Sequence, residues 1–138
     1  MRTKRVNDGF VLSVARGEKI IDSIRAFCGS NKIFGGHFSG IGAVDDLELA
    51  HYDVDTKKYS SRKFALKLEI ASLSGNIAVA GDEIVVHCHG VFSNEQMQPV
   101  AGHLVEARVA AACEIFLFPA PRLVKMLDEK IGLKMLEL

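Results

Sequence analysis

The sequence predicts an α+β fold built mainly from antiparallel strands, with one long early helix and a short C-terminal helix. Apolar residues recur at helical spacing in one clear segment, residues 18–28, whereas most of the remaining chain has short apolar runs separated by polar turns. Because short turns join neighbouring strands, we expect mostly antiparallel pairing, as two packed sheets or a partly closed barrel. The length of 138 residues fits a single domain spanning 1–138.

The first elements are a strand and a helix. Apolar residues alternate over residues 10–15, which is typical of a strand, and Gly17 breaks the pattern. From Glu18 onward the apolar residues fall on one helical face, and Gly29 is suited to end the helix. We therefore expect the main helix between these two residues.

The rest of the chain is predicted to be β-structure until its last part. Strand patterns cover residues 33–44, 47–52, 59–64, 66–79, 83–92, 100–109 and 113–118. Gly75-Asn76 is a turn or bulge signal inside one of these strands. Pro119 and Pro121 end the last strand, and the segment Arg122–Lys130 is predicted to form a short second helix.

Charge and cysteine content exclude several classes of protein. Seventeen basic residues balance seventeen acidic ones, so the chain lacks the overall positive field that draws proteins to nucleic acid or to anionic membranes. Three cysteines without a CxxC motif argue against a disulfide framework and favour a reducing compartment. Without a targeting segment or an apolar stretch of bilayer-spanning length, we expect a cytoplasmic protein that does not enter membranes.

Three histidines form the most informative pattern in the sequence. His87 and His89 lie at positions i and i+2 of one predicted strand, so their side chains project from the same face. If residues 83–92 and 98–109 form a hairpin, His103 comes within reach of this pair. Three imidazoles suit Zn²⁺, with nickel, iron or copper as alternatives, and they leave one coordination position for water or substrate. Two histidines at this spacing also occur on strands simply as hydrogen-bonded or exposed residues, so the structural interpretation stays open.

Glu69 is the candidate catalytic residue. It lies in an apolar strand, and a glutamate that faces a metal-bound water could act as general base or acid, although a strand glutamate commonly faces solvent. The glycine-rich segment 36–44 resembles half of a nucleotide-binding loop, but Asp45 stands where a third glycine is needed. We therefore expect no cofactor-binding loop, and close packing or a subunit contact as the role of these glycines.

Several separated motifs resemble the plants and prokaryotes conserved (PPC) domain family. They are Ser39-Gly-Ile-Gly-Ala-Val44, Leu68-Glu-Ile-Ala-Ser-Leu-Ser-Gly-Asn-Ile77, the His-Cys-His strand, and Gly102-His-Leu-Val-Glu-Ala-Arg-Val109 followed by Cys113-Glu-Ile. The likeness implies a compact α/β domain that assembles as a homotrimer, in some members with a metal held by the histidine trio. Ala101 stands where the family usually has the first glycine of Gly-Gly-His.

The resemblance leaves two functional classes open. In land plants the domain follows an AT-hook that enters the DNA minor groove, and these 138 residues contain no such element. One class is therefore a DNA-associated or regulatory protein whose isolated domain binds DNA weakly and without sequence preference. The other is a metal-dependent lyase or hydrolase that takes a small-molecule ligand at the metal, because the fold also looks like that of acetolactate decarboxylase.

Overall fold

The computed structural model covers residues 1–138 and contains nine strands and one helix. In chain order these are β1 (Arg2–Val6), β2 (Gly9–Ala15), α1 (Ile20–Ser30), β3 (Gly36–Asp53), β4 (Lys58–Phe64), β5 (Leu68–Ala80), β6 (Glu83–Ser93), β7 (Pro99–Pro119), β8 (Val124–Asp128) and β9 (Leu133–Glu137).

All nine strands belong to one mixed sheet that closes on itself. The two longest strands, β3 and β7, pair antiparallel along most of their length. β3 also pairs with β5, β5 with β6, and β6 with β7, so these four strands form a closed hydrogen-bonded circuit. β1 and β2 extend the sheet beyond β7, and β4 lies beside β3. The single parallel contact joins β5 to β8.

The core lies inside this curved sheet and under the helix. Helix α1 packs against β6 and β7 through its five buried residues, Ile20, Ile21, Ile24, Phe27 and Cys28. Facing them are alternate strand residues, such as Leu12, Val14, Cys88 and Leu117, none of which is exposed to solvent. Each fully buried Leu or Val contributes about 1.5–3 kcal/mol to stability relative to an exposed one.

The N-terminus of α1 is capped by a residue from the sheet. Lys19, at the N-cap position, makes no side-chain capping bond. The carboxylate of Glu106 on β7 instead accepts hydrogen bonds from the backbone N–H groups of Ile21 (2.9 Å) and Asp22 (3.1 Å). These groups have no partner within the helix, and the carboxylate also complements the positive end of the helix dipole. Glu106 therefore fixes the helix on the sheet.

The predicted fold class is wrong in three respects. The helix is short, with 11 residues, and it is the only helix of the chain. The strands form one mixed sheet, whereas two packed sheets or a partly closed barrel of mostly antiparallel strands were predicted. The predicted helix Arg122–Lys130 is absent, and this region contains β8, which pairs with β9 in a C-terminal hairpin.

The predicted helix Arg122–Lys130 does not form, for a physical reason. Nine residues are too few for a helix that is stable on its own, so tertiary partners decide the conformation. Here β5 offers free backbone groups: the N–H of Val79 donates to the carbonyl of Leu123 at 2.9 Å, and Val79 pairs with Val124. The extended conformation thus gives backbone groups of this segment hydrogen-bond partners on β5.

No helix in the structure has the length and hydropathy that a bilayer crossing requires.

Three predicted strand interruptions are absent. The predicted strands 33–44 and 47–52 join in β3, residues 100–109 and 113–118 belong to the single strand β7, and β5 continues through Gly75. Gly75 serves close packing and makes no turn. A Cβ at this position would lie 2.4 Å from the Phe38 ring and 2.4 Å from the carbonyl oxygen of His87. Gly42 is similar, since its Cβ would meet the Ala112 carbonyl oxygen at 2.3 Å.

Replacement of the capping glutamate should destabilise the protein. We expect Glu106→Ala to lower the free energy of unfolding by about 1–2 kcal/mol, because two backbone donors of α1 lose their acceptor. Glu83→Ala is the control: this glutamate at the start of β6 is exposed and its side chain makes no hydrogen bond, so we expect a change within about 0.5 kcal/mol. Urea unfolding followed by circular dichroism measures both. Equal effects of the two substitutions would contradict the capping role.

Candidate metal centre

The hairpin of β6 and β7 brings the three predicted histidines together. His89 lies directly opposite His103 in the antiparallel ladder, and His87 projects from the same face two residues earlier. The ring centroids are 5.1 Å apart for His87 and His89, 5.2 Å for His87 and His103, and 5.4 Å for His89 and His103. One nitrogen of each ring lies within 4.8 Å of the others. This is the only group of histidine, cysteine or acidic ligand atoms in the chain that converges in this way.

The loop between the two strands sets this register. The Asn94 side-chain oxygen accepts hydrogen bonds from the backbone N–H groups of Gln96 (3.0 Å) and Gln98 (2.9 Å). The loop then closes with Met97 in the left-handed region at φ 61° and with Ser93 paired to Pro99. A shift of one residue would turn His103 toward the opposite face of the sheet.

Burial keeps two of the rings in the neutral form that binds metals. Burial lowers the pKa of His87 to about 4, with a further lowering by the Lys125 ammonium group and the other two rings. The pKa of His103 is also lowered, mainly by burial and then by His89 and Lys125. Both imidazoles are therefore uncharged near neutral pH, with a free lone pair on each ring.

The three rings fit a tetrahedral metal ion with an open position. Zinc bound by imidazole has Zn–N distances of about 2.0–2.1 Å, which places the nitrogens roughly 3.3 Å apart; here the ligand atoms lie within 4.8 Å of one another. No carboxylate or thiol completes the set. Cys88, between the two histidines of β6, points into the core, and burial raises the pKa of its thiol to about 12. The protein thus offers three donors to such an ion.

Glu69 lies apart from the histidines. It pairs with Ser93, four residues beyond His89 on β6, a displacement of roughly 13 Å along the strand. Its side chain is exposed and borders a different cavity, of about 920 Å³, near Arg16 and Lys67. The structure does not bring Glu69 to the rings.

Other polar residues surround the trio, and the sequence did not single them out. Lys125 of β8 is 8% exposed, and its ammonium nitrogen lies 3.4 Å from His87 Nδ1. Asn76 pairs with His87 across β5 and β6, and its buried Oδ1 atom has no hydrogen-bond partner. Tyr59 of β4 lies with its ring centroid 5.8 Å from that of His103.

These residues line a cavity of about 750 Å³ between the histidines and the C-terminal hairpin. Its lining includes Tyr59, Asn76, Val85, His87, His103, Lys125, Leu127, Leu133 and Leu136. Such a volume is typical of a small-molecule site. Because the segment that contains Lys125 was predicted as a helix, its approach to the trio had no signal in the sequence.

Comparison with known proteins identifies the family. The model of the Plants and Prokaryotes Conserved (PCC) domain matches residues 1–121. The chain belongs to this family. The resemblance seen in the sequence motifs, where the family carried the abbreviation PPC, is therefore confirmed. No protein with a curated description matches the chain significantly.

Solved structures of similar chains cover nearly the whole PCC domain. A metal-containing protein from Archaeoglobus fulgidus is 31% identical, with a TM-score of 0.89 over 97% of this chain and 96% of that one. A PPC protein from Pyrococcus horikoshii is 27% identical, with a TM-score of 0.87 and coverage of 99% and 94%. A protein from Bacteroides thetaiotaomicron, proposed to bind DNA, is 26% identical, with a TM-score of 0.95 and coverage of 99% and 96%.

Acetolactate decarboxylase shares the fold at a greater distance. The enzyme from Bacillus subtilis is 15% identical, with a TM-score of 0.55, and the match covers 81% of this chain and 53% of the enzyme. At this identity the likeness concerns the fold alone, and a shared fold does not carry a shared reaction.

Proposed function

We propose that this PCC-domain protein binds one divalent transition metal ion per chain, with zinc as the expected ion, through His87, His89 and His103. The convergence of three imidazole nitrogens within 4.8 Å on one face of the sheet carries the proposal. A similar protein from A. fulgidus is described as metal-containing, which agrees with this assignment. Three imidazole donors leave at least one position of the ion for a non-protein ligand, as in catalytic zinc sites.

A metal-dependent lyase or hydrolase is the second candidate function. The cavity of about 750 Å³ beside the trio favours it, because a small substrate could reach the open position of the ion. Glu69 gives this candidate little support, since it borders the other cavity. The residues able to hold or move a proton beside the trio are instead Lys125 and Tyr59.

Metal analysis tests the primary proposal. Protein purified without a metal-affinity tag should carry about one zinc-like ion per chain, measured by inductively coupled plasma mass spectrometry. In a His87→Ala, His89→Ala double variant the content should fall at least about tenfold, because one imidazole alone holds the ion weakly. A His37→Ala, His51→Ala variant is the control, since both histidines are exposed and lie outside the trio. Unchanged metal content in the first variant would refute the site.

We also propose that the chain forms a homotrimer, the number implied by the family resemblance. The outer face of β3 and β7 supports an interface, because Ile41 (60% exposed), Phe116 (49%) and Phe118 (38%) lie there and would otherwise face water. Light scattering at micromolar concentration should give about three times the chain mass of 15.1 kDa. Ile41→Asp should reduce the mass, whereas Val54→Asp in the turn before β4 should not. A monomeric wild-type protein would contradict the proposal.

For DNA, we propose weak binding without sequence preference. The formal net charge is zero, and one lysine of the basic β4 strand, Lys63, already pairs with Glu48 at 3.6 Å. Fluorescence anisotropy with several unrelated duplexes should give similar, micromolar or weaker affinities that decline steeply with salt. Tight binding of one sequence at physiological salt would instead favour a DNA-associated regulatory role; the similar protein from B. thetaiotaomicron is proposed to bind DNA.

A further inference from the structure

Lys125 is a buried cation without an anionic partner in the chain. Its side chain is largely removed from solvent, and the five ion pairs of the protein all involve other residues. The single polar contact of its Nζ atom is His87 Nδ1, at 3.4 Å. An ammonium group in such a place is unfavourable unless an acceptor or a negative charge faces it.

Metal binding by His87 removes even that contact. If Nδ1 binds the ion, its lone pair is used. If Nε2 binds the ion, the neutral ring carries its proton on Nδ1, which then cannot accept a hydrogen bond from lysine. In proteins the free nitrogen of a metal-bound histidine usually donates to an acceptor such as a carboxylate, and here a cation stands beside it. With metal bound, Lys125 requires an anion from outside the chain.

A second polar group at the same place also lacks a partner. Asn76 lies across the β5–β6 ladder from His87, and its buried Oδ1 atom accepts no hydrogen bond. Buried carbonyl oxygens without a donor are rare in folded proteins. A ligand that contains a hydroxyl group could donate to this oxygen.

Much of the remaining wall of the cavity is apolar, and the exposed Lys134 and Tyr59 also border it. Val85 of β6 and the hairpin residues Leu127, Leu133 and Leu136 line it. The cavity therefore combines one buried cation, one amide oxygen without a partner and a hydrocarbon surface beside His87 and His103. A short carbon chain would bury apolar area on that surface.

We propose that this cavity binds a small hydroxycarboxylate with a short apolar chain. Its carboxylate pairs with Lys125, its hydroxyl group donates to Asn76, and its carbon chain lies against the hairpin leucines. This inference rests on the proposed metal site and names the ligand class for the open position. A carboxylate is favoured over a phosphate because Lys125, the one buried lysine of the cavity, matches a single negative charge, whereas a phosphate carries more charge and more acceptor oxygens.

Calorimetry on the zinc-loaded full chain tests the proposal, with 2-hydroxy-4-methylpentanoate as the probe. We expect saturable binding to the wild type and at least about tenfold weaker binding to Lys125→Met, because the charge partner is lost. Lys130→Met is the matched control, since this exposed lysine lies in the turn between β8 and β9 and does not line the cavity, so the affinity of this variant should stay within about twofold of the wild type. Equal losses in both variants would overturn the assignment of Lys125.

The role of Asn76 is tested with the deoxy analogue, 4-methylpentanoate. The wild type should prefer the hydroxylated acid at least about fivefold, and Asn76→Leu should lose that preference while it still binds both acids. This ratio is measured on the wild type as well, so the test remains valid if a variant does not fold. No preference in the wild type, or tighter binding of isobutyl phosphate than of the hydroxy acid, would overturn the ligand class.

Zinc content separates this proposal from the metal proposal. Lys125→Met should retain at least the wild-type zinc content, because a positive charge near the ion has been removed. If the wild type carries no metal, the proposed function itself fails. If the wild type holds zinc but gives no binding heat with the hydroxy acid at millimolar concentration, the ligand inference alone fails.

Discussion

The backbone ladder between β6 and β7 is the interaction on which the site depends. It places His89 opposite His103, and the pleat brings His87 to the same face. The loop that begins at Asn94 fixes the register of this ladder through side-chain hydrogen bonds to its own backbone. Because side chains alternate between faces, a correct register is enough to bring His103 of β7 to the pair of histidines on β6.

The same alternation separates the site from the core. Cys88 and Leu104 alternate with the histidines and are completely or almost completely buried. One face of the hairpin therefore contributes to the hydrophobic core under α1, while the other carries polar side chains beside a cavity. Substitutions on the site face can thus change ligand chemistry without opening a void in the core.

The polar groups around the trio are unusual in their charges. Metal-binding histidines are commonly supported by acceptors, yet the neighbour of His87 is a lysine from the C-terminal hairpin. Lys125 is a buried cation, and the buried Oδ1 atom of Asn76 has no hydrogen-bond donor. Under the proposal made above, a bound anion supplies the charge partner of the lysine and a hydroxyl group supplies the donor for the amide oxygen. The fold is shared with a decarboxylase, but a shared fold does not determine the ligand, which depends on the side chains at the site.

The sequence by itself determined the features that depend on local pattern. The alternation in β2, the apolar face of α1 and the pairing of two histidines on one strand follow from side-chain periodicity, and family motifs identified the PCC domain. Only the tertiary structure decided what depends on distant partners. The C-terminal segment is extended because β5 supplies backbone hydrogen bonds, and this brings Lys125 to His87. Glu106 caps a helix 85 residues away from it in sequence, a contact that no local pattern encodes.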